Sequence, residues 1–309
     1  MKVYFGLEEF KNRKNIVATI GTFDGVHIGH KKLLQNLVKH SKKCDGESLL
    51  LTFYPHPRMV LFPDNNDLKL LNSQEEKIEL LDKVGIDHLI IHPFTREFSR
   101  LTSTEFVRDI LVNSIGIQKL VIGYDHHFGR NREGSYHSLS ELAELYNFEL
   151  NEVSAEEIDD INISSTKIRS ALQEGNIETA NEYLSYNYQI SGDIIKGDQL
   201  GRTIGFPTAN IRVNEHFKLI PKNGVYAVNV QLKQGPLFGM LNIGTRPTVN
   251  NSNETTIEVH IFDFEENIYG QHMRIEFVKR IRDEKKFSNK EELAAQLELD
   301  KSKCLTIAR

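Results

Sequence analysis

The sequence predicts two domains of different class: an N-terminal α/β domain on a parallel sheet, and a C-terminal all-β barrel or sandwich carrying a final helix. Three observations predict this. Residues 15–153 alternate short apolar runs with helical patterns. From about residue 188 short strand patterns follow one another directly, separated by turn signals. The length, 309 residues, also exceeds what one core commonly serves.

The elements follow in order. Strand patterns over 15–21, 48–54, 87–92, 118–123 and 148–153 enclose helical patterns over 29–42, 73–83, 102–113 and 137–146. A βαβα rhythm of this kind requires crossover connections, hence parallel strands with both faces covered. Ligands of such sheets lie beyond the carboxyl ends of the strands. Two short helical patterns, 165–173 and 176–184, close the first domain, so the expected boundary separates 1–185 from 186–309. Strands are then expected over 188–195, 224–232, 237–242, 255–264 and 272–279. Lys222-Asn223-Gly224 and Gln234-Gly235-Pro236 mark turns between them, and a last helix runs over 289–299.

Composition narrows the function. Apolar residues at 39% and charged residues at 26% describe an ordinary soluble chain. No apolar run approaches a membrane span, and Met1-Lys2-Val3-Tyr4-Phe5-Gly6 lacks a signal-peptide core. Two isolated cysteines, Cys44 and Cys304, form no disulfide framework or metal-ligand pair, so a cytoplasmic location is expected. Residues 1–185 carry 21 basic and 28 acidic side chains, a net −7, and the remainder 17 and 15, a net +2. Neither half has the basic excess of a nucleic-acid binder. Nothing in the chain points to an obligate protein partner.

The most informative segment is Gly21-Thr22-Phe23-Asp24-Gly25-Val26-His27-Ile28-Gly29-His30, between an apolar strand and a helix. A strand, a tight glycine-rich turn and a helix start gather unpaired N–H groups and the positive end of the helix dipole, which suits phosphate. His27 and His30 can add donors or cationic charge where negative charge builds on a reacting phosphate. The structural alternative is a plain turn with two surface histidines. A second anion turn is Ser164-Ser165-Thr166-Lys167-Ile168-Arg169, where a serine caps a helix and Arg169 follows one turn later; its alternative is an ordinary N-cap. In Tyr54-Pro55-His56-Pro57 two prolines fix the loop shape, and the 123–134 loop, with Asp125, His126, His127, Phe128 and Gly129, suits folding over a flat ligand; either is otherwise a structural loop.

In the second half, Gly197, Gly201 and Gly205 let backbone approach a phosphate, and Thr208 and Asn210 offer oxygens for Mg²⁺. No lysine follows these glycines, so this is not the common phosphate loop. In Thr256-Ile257-Glu258-Val259-His260-Ile261-Phe262 the alternation puts Glu258 and His260 on one strand face, where a carboxylate is either simply solvated or lines a cavity.

These residues resemble the bifunctional bacterial riboflavin kinase/FAD synthetase family over almost the whole chain. Residues 21–30 are similar to its G-x-F-D-G-V-H-x-G-H, 164–169 to S-S-T-x-I-R, and 201–210 to G-R-x-x-G-F-P-T-A-N. Asn242-Ile243-Gly244-Thr245-Arg246-Pro247-Thr248, Glu258-Val259-His260 and Arg282-Asp283-Glu284-Lys285-Lys286-Phe287 resemble its further kinase motifs. The resemblance implies a Rossmann-like nucleotidyltransferase sheet that adenylylates FMN, followed by a six-stranded antiparallel kinase barrel that phosphorylates riboflavin. ATP and Mg²⁺ serve both steps, and FMN and FAD are the products. It implies that Gly21, Phe23, Asp24, His27, Gly29, His30, Asp125, Ser165, Thr166 and Arg169 hold ATP for the first reaction. It places Phe53, Pro55, His56, Pro57, Phe128 and Arg282 at flavin. For the kinase it implies ATP at Gly197, Gly201, Gly205, Pro207, Thr208 and Asn210, metal at Thr208 and Asn210, and Glu258 as the base. His126 and His127 depart from the family's usual Phe-Arg at these positions.

Overall fold

The computed structural model describes residues 1–11, 15–65, 68–123, 128–130, 134, 136–154, 163–197, 200–247 and 253–307. The chain forms two compact units, Met1–Leu68 with Gln74–Ser164, and Lys69–Ser73 with Ser165–Arg309.

The first unit is built on six parallel strands: β1 (Lys2–Tyr4), β2 (Ile16–Ile20), β3 (Glu47–Tyr54), β4 (His88–Pro93), β5 (Ile117–Gly123) and β6 (Glu149–Val153), in the order β1-β4-β3-β2-β5-β6. Every residue of β2 is buried, which explains why Ile16-Val17-Ala18-Thr19-Ile20 shows no polar alternation. β1 is the strand the sequence pattern does not predict, since three residues are too few for a periodicity, and the short helix Pro57–Leu61 falls where the sequence reads as a loop.

The helices of this unit are α1 (Ile28–Lys43), α2 (Pro57–Leu61), α3 (Gln74–Val84), α4 (Ser103–Glu105) and α5 (Tyr136–Tyr146). α4 continues as a ten-residue π-type helix, Phe106–Ile115, until Gly116 ends it in the left-handed conformation (φ 71°). A capping box starts α4: Thr102 Oγ1 accepts from the Glu105 N–H, and the Glu105 carboxylate accepts from the Thr102 N–H. Ile16, Ala18 and Ile20 of β2 pack with Leu49 and Leu51 of β3, and with Val107, Leu111 and Leu139 from the helices.

The second unit opens with α6 (Ser165–Glu174) and α7 (Ile177–Leu184). Six strands follow: β7 (Gln189–Ile195), β8 (Ala209–Arg212), β9 (Gly224–Leu232), β10 (Gly235–Pro247), β11 (Asn253–Ile261) and β12 (His272–Arg282). They close antiparallel as β10-β11-β8-β7-β12-β9, so no strand edge is left unpaired. β8 is the strand missing from the sequence reading, because four residues between glycine-rich and polar segments carry little pattern. Tyr188, Tyr226 and Phe277 are fully buried, and the Tyr226 and Phe277 rings meet edge to face at 5.2 Å. The Tyr188 hydroxyl donates to Leu219 O at 2.6 Å, so the buried phenol keeps a partner.

Residues 69–73 join this unit by main-chain bonds. Leu70 N–H donates to Phe217 O at 2.6 Å, and Leu219 N–H to Leu70 O at 2.8 Å. The buried Lys218 ammonium donates to Leu71 O at 2.6 Å and lies 4.6 Å from the Tyr188 ring centre.

The last helix, α8 (Lys290–Ile307), packs with Cys304 against Phe206, Ala227, Met240 and Phe262. Its Asp300 is fully buried and takes Arg282 Nη2 at 2.7 Å and Nε at 2.8 Å. Removing one partner of such a pair strands the other's charge. Asp300→Ala should therefore destabilise the barrel unit by about 3 kcal/mol in urea unfolding. A loss near zero would show that α8 is held by its apolar contacts alone.

Candidate active sites

The first site lies where β2 ends. Gly21 N–H still bonds Leu51 O at 3.1 Å, after which the chain reverses through a turn into α1. Two side-chain-bearing residues of this turn have left-handed backbone, Phe23 (φ 47°) and Val26 (φ 38°), beside Gly25 (φ 91°). A β-branched residue at positive φ is an outlier that costs about 1–3 kcal/mol and persists where the surroundings impose it. Gly21 is required for space: a Cβ there would lie 2.8 Å from the Phe23 ring. Asp24 and His27 are buried.

His27 caps α1. Its Nδ1 accepts the His30 N–H at 3.4 Å, so Nδ1 carries no proton and Nε2–H is the donor. The two imidazoles stack at 3.6 Å, and His30 lies 4.9 Å from Phe23. Burial, and secondarily Lys31, pushes His27 down to about 4. Burial, with smaller contributions from His27 and Lys77, pushes His30 well below the usual histidine range. Of the two roles open to these histidines, donor or cation, the geometry selects neutral donors. His30 Nδ1 is buried with no hydrogen-bond partner among the described residues.

The neighbouring predicted residues take distinct places. Phe53 and Phe128 are buried members of the core, in an aromatic group with Phe94, Phe98 and Phe106. Pro55 follows a cis peptide bond, Pro57 opens α2, and His56 Nδ1 caps that helix by accepting the Arg58 N–H at 3.2 Å. Gly29 lies in the first turn of α1. Asp125, His126 and His127 lie outside the described residues. Ser165 and Thr166 open α6 in the second unit, where Arg169 Nε donates to Lys69 O at 2.7 Å. Sequence spacing missed Lys77: it is buried on α3, and its ammonium donates to Thr22 O, 3.4 Å away.

The second site is on the outer surface of the barrel. Register sets Glu258 of β11 directly opposite Asn210 of β8 and Asn242 of β10, so the three side chains share one face. Thr208 Oγ1 donates to Glu258 Oε2 at 3.3 Å. Two residues along, His260 Nδ1–H donates to Pro207 O at 2.8 Å, fixing the segment that presents Thr208. Burial lowers the His260 pKa, the bond to Pro207 opposing, so the ring stays neutral. The glycines of the preceding loop are spatial requirements: a Cβ at Gly197 would meet Asn210 Nδ2 at 2.1 Å, and one at Gly201 would meet Phe206 O at 2.1 Å. Gly205 is left-handed (φ 82°). A cleft of about 490 Å³ opens beside Pro207 and Thr208, lined further by Arg202 of the same motif and by Phe264, Ile268 and Tyr269, which no motif singles out. Arg282 is occupied by Asp300.

Comparison with known proteins adds two family matches: FAD synthetase over residues 9–167 and riboflavin kinase over residues 184–308. The bifunctional riboflavin kinase/FMN adenylyltransferase of Listeria monocytogenes is 41% identical over 290 residues, 93% of this chain and 90% of the relative. Its counterpart in Escherichia coli K12 is 37% identical over 303 residues, 97% of this chain and 96% of the relative. A crystal structure described as a macrolide-efflux protein from Streptococcus pneumoniae superposes with a TM-score of 0.89, covering 97% of both chains at 29% identity. That description belongs to that protein, and the match is one of fold. Among the described residues no helix is long and apolar enough to cross a membrane.

The depressed histidines make stability depend on pH. A folded imidazole at about 4 against 6.5 unfolded means that the unfolded chain takes up the proton first. The stabilisation is complete above about pH 6.5 and is lost as pH falls toward 4. For His27 this amounts to about 2 kcal/mol between pH 7 and 5. His27→Asn keeps a capping side chain without titrating, and should shrink the fall in urea-unfolding free energy over that range by this amount. An unchanged fall would show that His27 is not buried neutral.

Proposed function

The chain belongs to the bifunctional riboflavin kinase/FMN adenylyltransferase family, and from that premise we propose which residues carry each of its two reactions. The enzyme phosphorylates riboflavin to FMN and adenylylates FMN to FAD, with ATP the donor in both steps. We assign adenylyl transfer to residues 1–185 and the kinase to 186–309, an assignment the two matched ranges support.

Adenylyl transfer starts from the FMN phosphate, which attacks the α-phosphorus of ATP and expels pyrophosphate. The nucleophile is already an anion, so the step needs positioning and charge stabilisation more than a base. The α1 entrance offers unpaired N–H groups, and His27 Nε2–H and His30 add neutral donors, with Gly21, Phe23, Asp24 and Gly29 shaping the turn. The start of α6, with Ser165, Thr166 and Arg169, is a second anion hold. Pro55, His56 and Pro57 shape the flavin side together with Phe53 and Phe128, which act from the core, and Asp125 belongs to the nucleotide.

The kinase nucleophile is the ribityl 5′-hydroxyl, a neutral alcohol, and Glu258 is placed to accept its proton. The observation that carries this reading is the Thr208 hydroxyl on the Glu258 carboxylate, with Asn210 alongside. Thr208 and Asn210 are hard neutral oxygen donors, a set that fits Mg²⁺ arriving with the ATP phosphates. When bound, the ion neutralises phosphate charge. Among the described residues no cluster of three His, Cys, Asp or Glu side chains forms a separate metal centre. Gly197, Gly201, Gly205 and Pro207 shape the loop over the nucleotide, and Arg282 lies toward flavin. The free thiols Cys44 and Cys304 support a cytoplasmic setting, and the reactions need neither nucleic acid nor an obligate protein partner.

The two assignments separate experimentally. Incubated with Mg-ATP, Glu258→Gln should lower FMN formation from riboflavin by about 10²–10⁴-fold while leaving FMN-to-FAD conversion near wild type. His30→Ala should lower FAD formation by about 10²–10³-fold and spare the kinase. If either folded variant lost both activities, the two-site assignment would fail.

A further inference from the structure

Lys77 sits where charged side chains are rare. It is 8% exposed, on a helix whose Leu80 and Leu81 are also buried. Taking an ammonium out of water is expensive, so a buried lysine is a placed group. Its Nζ is 3.4 Å from Thr22 O, a carbonyl inside the turn that joins β2 to α1. Thr52 Oγ1 donates to the same carbonyl at 3.3 Å, which pins the turn from β3 as well. The ammonium therefore lies against the turn that carries His27 and His30.

We propose that Lys77 is a further catalytic residue of adenylyl transfer, stabilising the charge that grows on the ATP phosphates as pyrophosphate departs. The inference rests on the assignment of that reaction to the α1 entrance. A bond forms from the FMN phosphate oxygen to the α-phosphorus. The bond from that phosphorus to the bridging oxygen breaks, and its electron pair leaves on pyrophosphate. No proton need move, so what the step demands is a fixed cation close to the developing charge. The two histidines are held neutral and do not supply it. Among the described residues, the titratable groups acting on His30 are His27 and, from α3, Lys77, while Asp24 of the turn and Glu76 of α3 are buried carboxylates. Lys77 is thus a buried cation set against the turn.

The test uses the full chain and compares K77M, K77R and H30A. K77M keeps the aliphatic stem and removes the charge. It should lower kcat for FAD formation about 10²-fold, with the KM for FMN little changed and the inhibition constant of pyrophosphate raised about tenfold or more. K77R, which keeps a cation, should recover at least part of kcat. If K77M retains more than half of the wild-type kcat while H30A does not, the inference about Lys77 is overturned and the site assignment stands. If neither variant loses FAD formation, the site assignment itself fails. Should K77M melt out of the first unit, the wild-type enzyme still decides. Titration of ¹⁵N-lysine-labelled protein with pyrophosphate shifts the Lys77 Nζ resonance if that group faces the phosphates. An unmoved resonance excludes it.

Discussion

The first unit depends on the reversal between β2 and α1. β2 is buried on both faces, so its last backbone groups cannot turn to water, and the chain must start a helix within a few residues of leaving the sheet. A helix beginning there leaves its first N–H groups without helical partners. His27 satisfies the one belonging to His30. Positive φ at Phe23 and Val26 is what this reversal imposes on the backbone, and the bonds to Thr22 O from Thr52 and Lys77 hold it in that shape. Fold and anion site are two results of one constraint.

The barrel solves a similar problem by different means. Closure pairs every strand edge, so the barrel has no open sheet end at which to place a site. The residues proposed for the kinase instead occupy the outer face of β8 and β11, where antiparallel register places Asn210 against Glu258. The loop that precedes β8 is brought in by glycines with no room for a Cβ and is fixed by His260 on Pro207 O. In both units a histidine acts on the backbone: one caps a helix, the other ties a loop to a strand.

Much of this was legible in the sequence. The strands of the sheet, with the exception of β1, and the helices α1, α3 and α5 follow the apolar periodicity closely, because buried parallel strands and amphipathic helices write their environment into local composition. The motifs at 21–30, 164–169, 197–210 and 256–262 stand out because turns, caps and alternation are local. The misses share a cause. β1 and β8 have three and four residues, too few for a period to show, and each is a strand because a partner is present. Residues 69–73 look like a connector between helical patterns, yet they pair with 217–219 across about 150 positions of sequence.

The sequence by itself therefore determined the two fold classes, their order and the segments to which each reaction is assigned, since these rest on spacing within a few residues. Tertiary structure decided the electrical state of the sites. The histidines of the turn read equally well as cations or as neutral donors until burial removed their protons. Lys77 carries no local signal, and only the packing of α3 sets it against Thr22. Arg282 meets Asp300 of α8, an ion pair that nothing in the local sequence announces. Burial and distance depend on residues remote in the chain, and local sequence holds no record of which remote groups will meet.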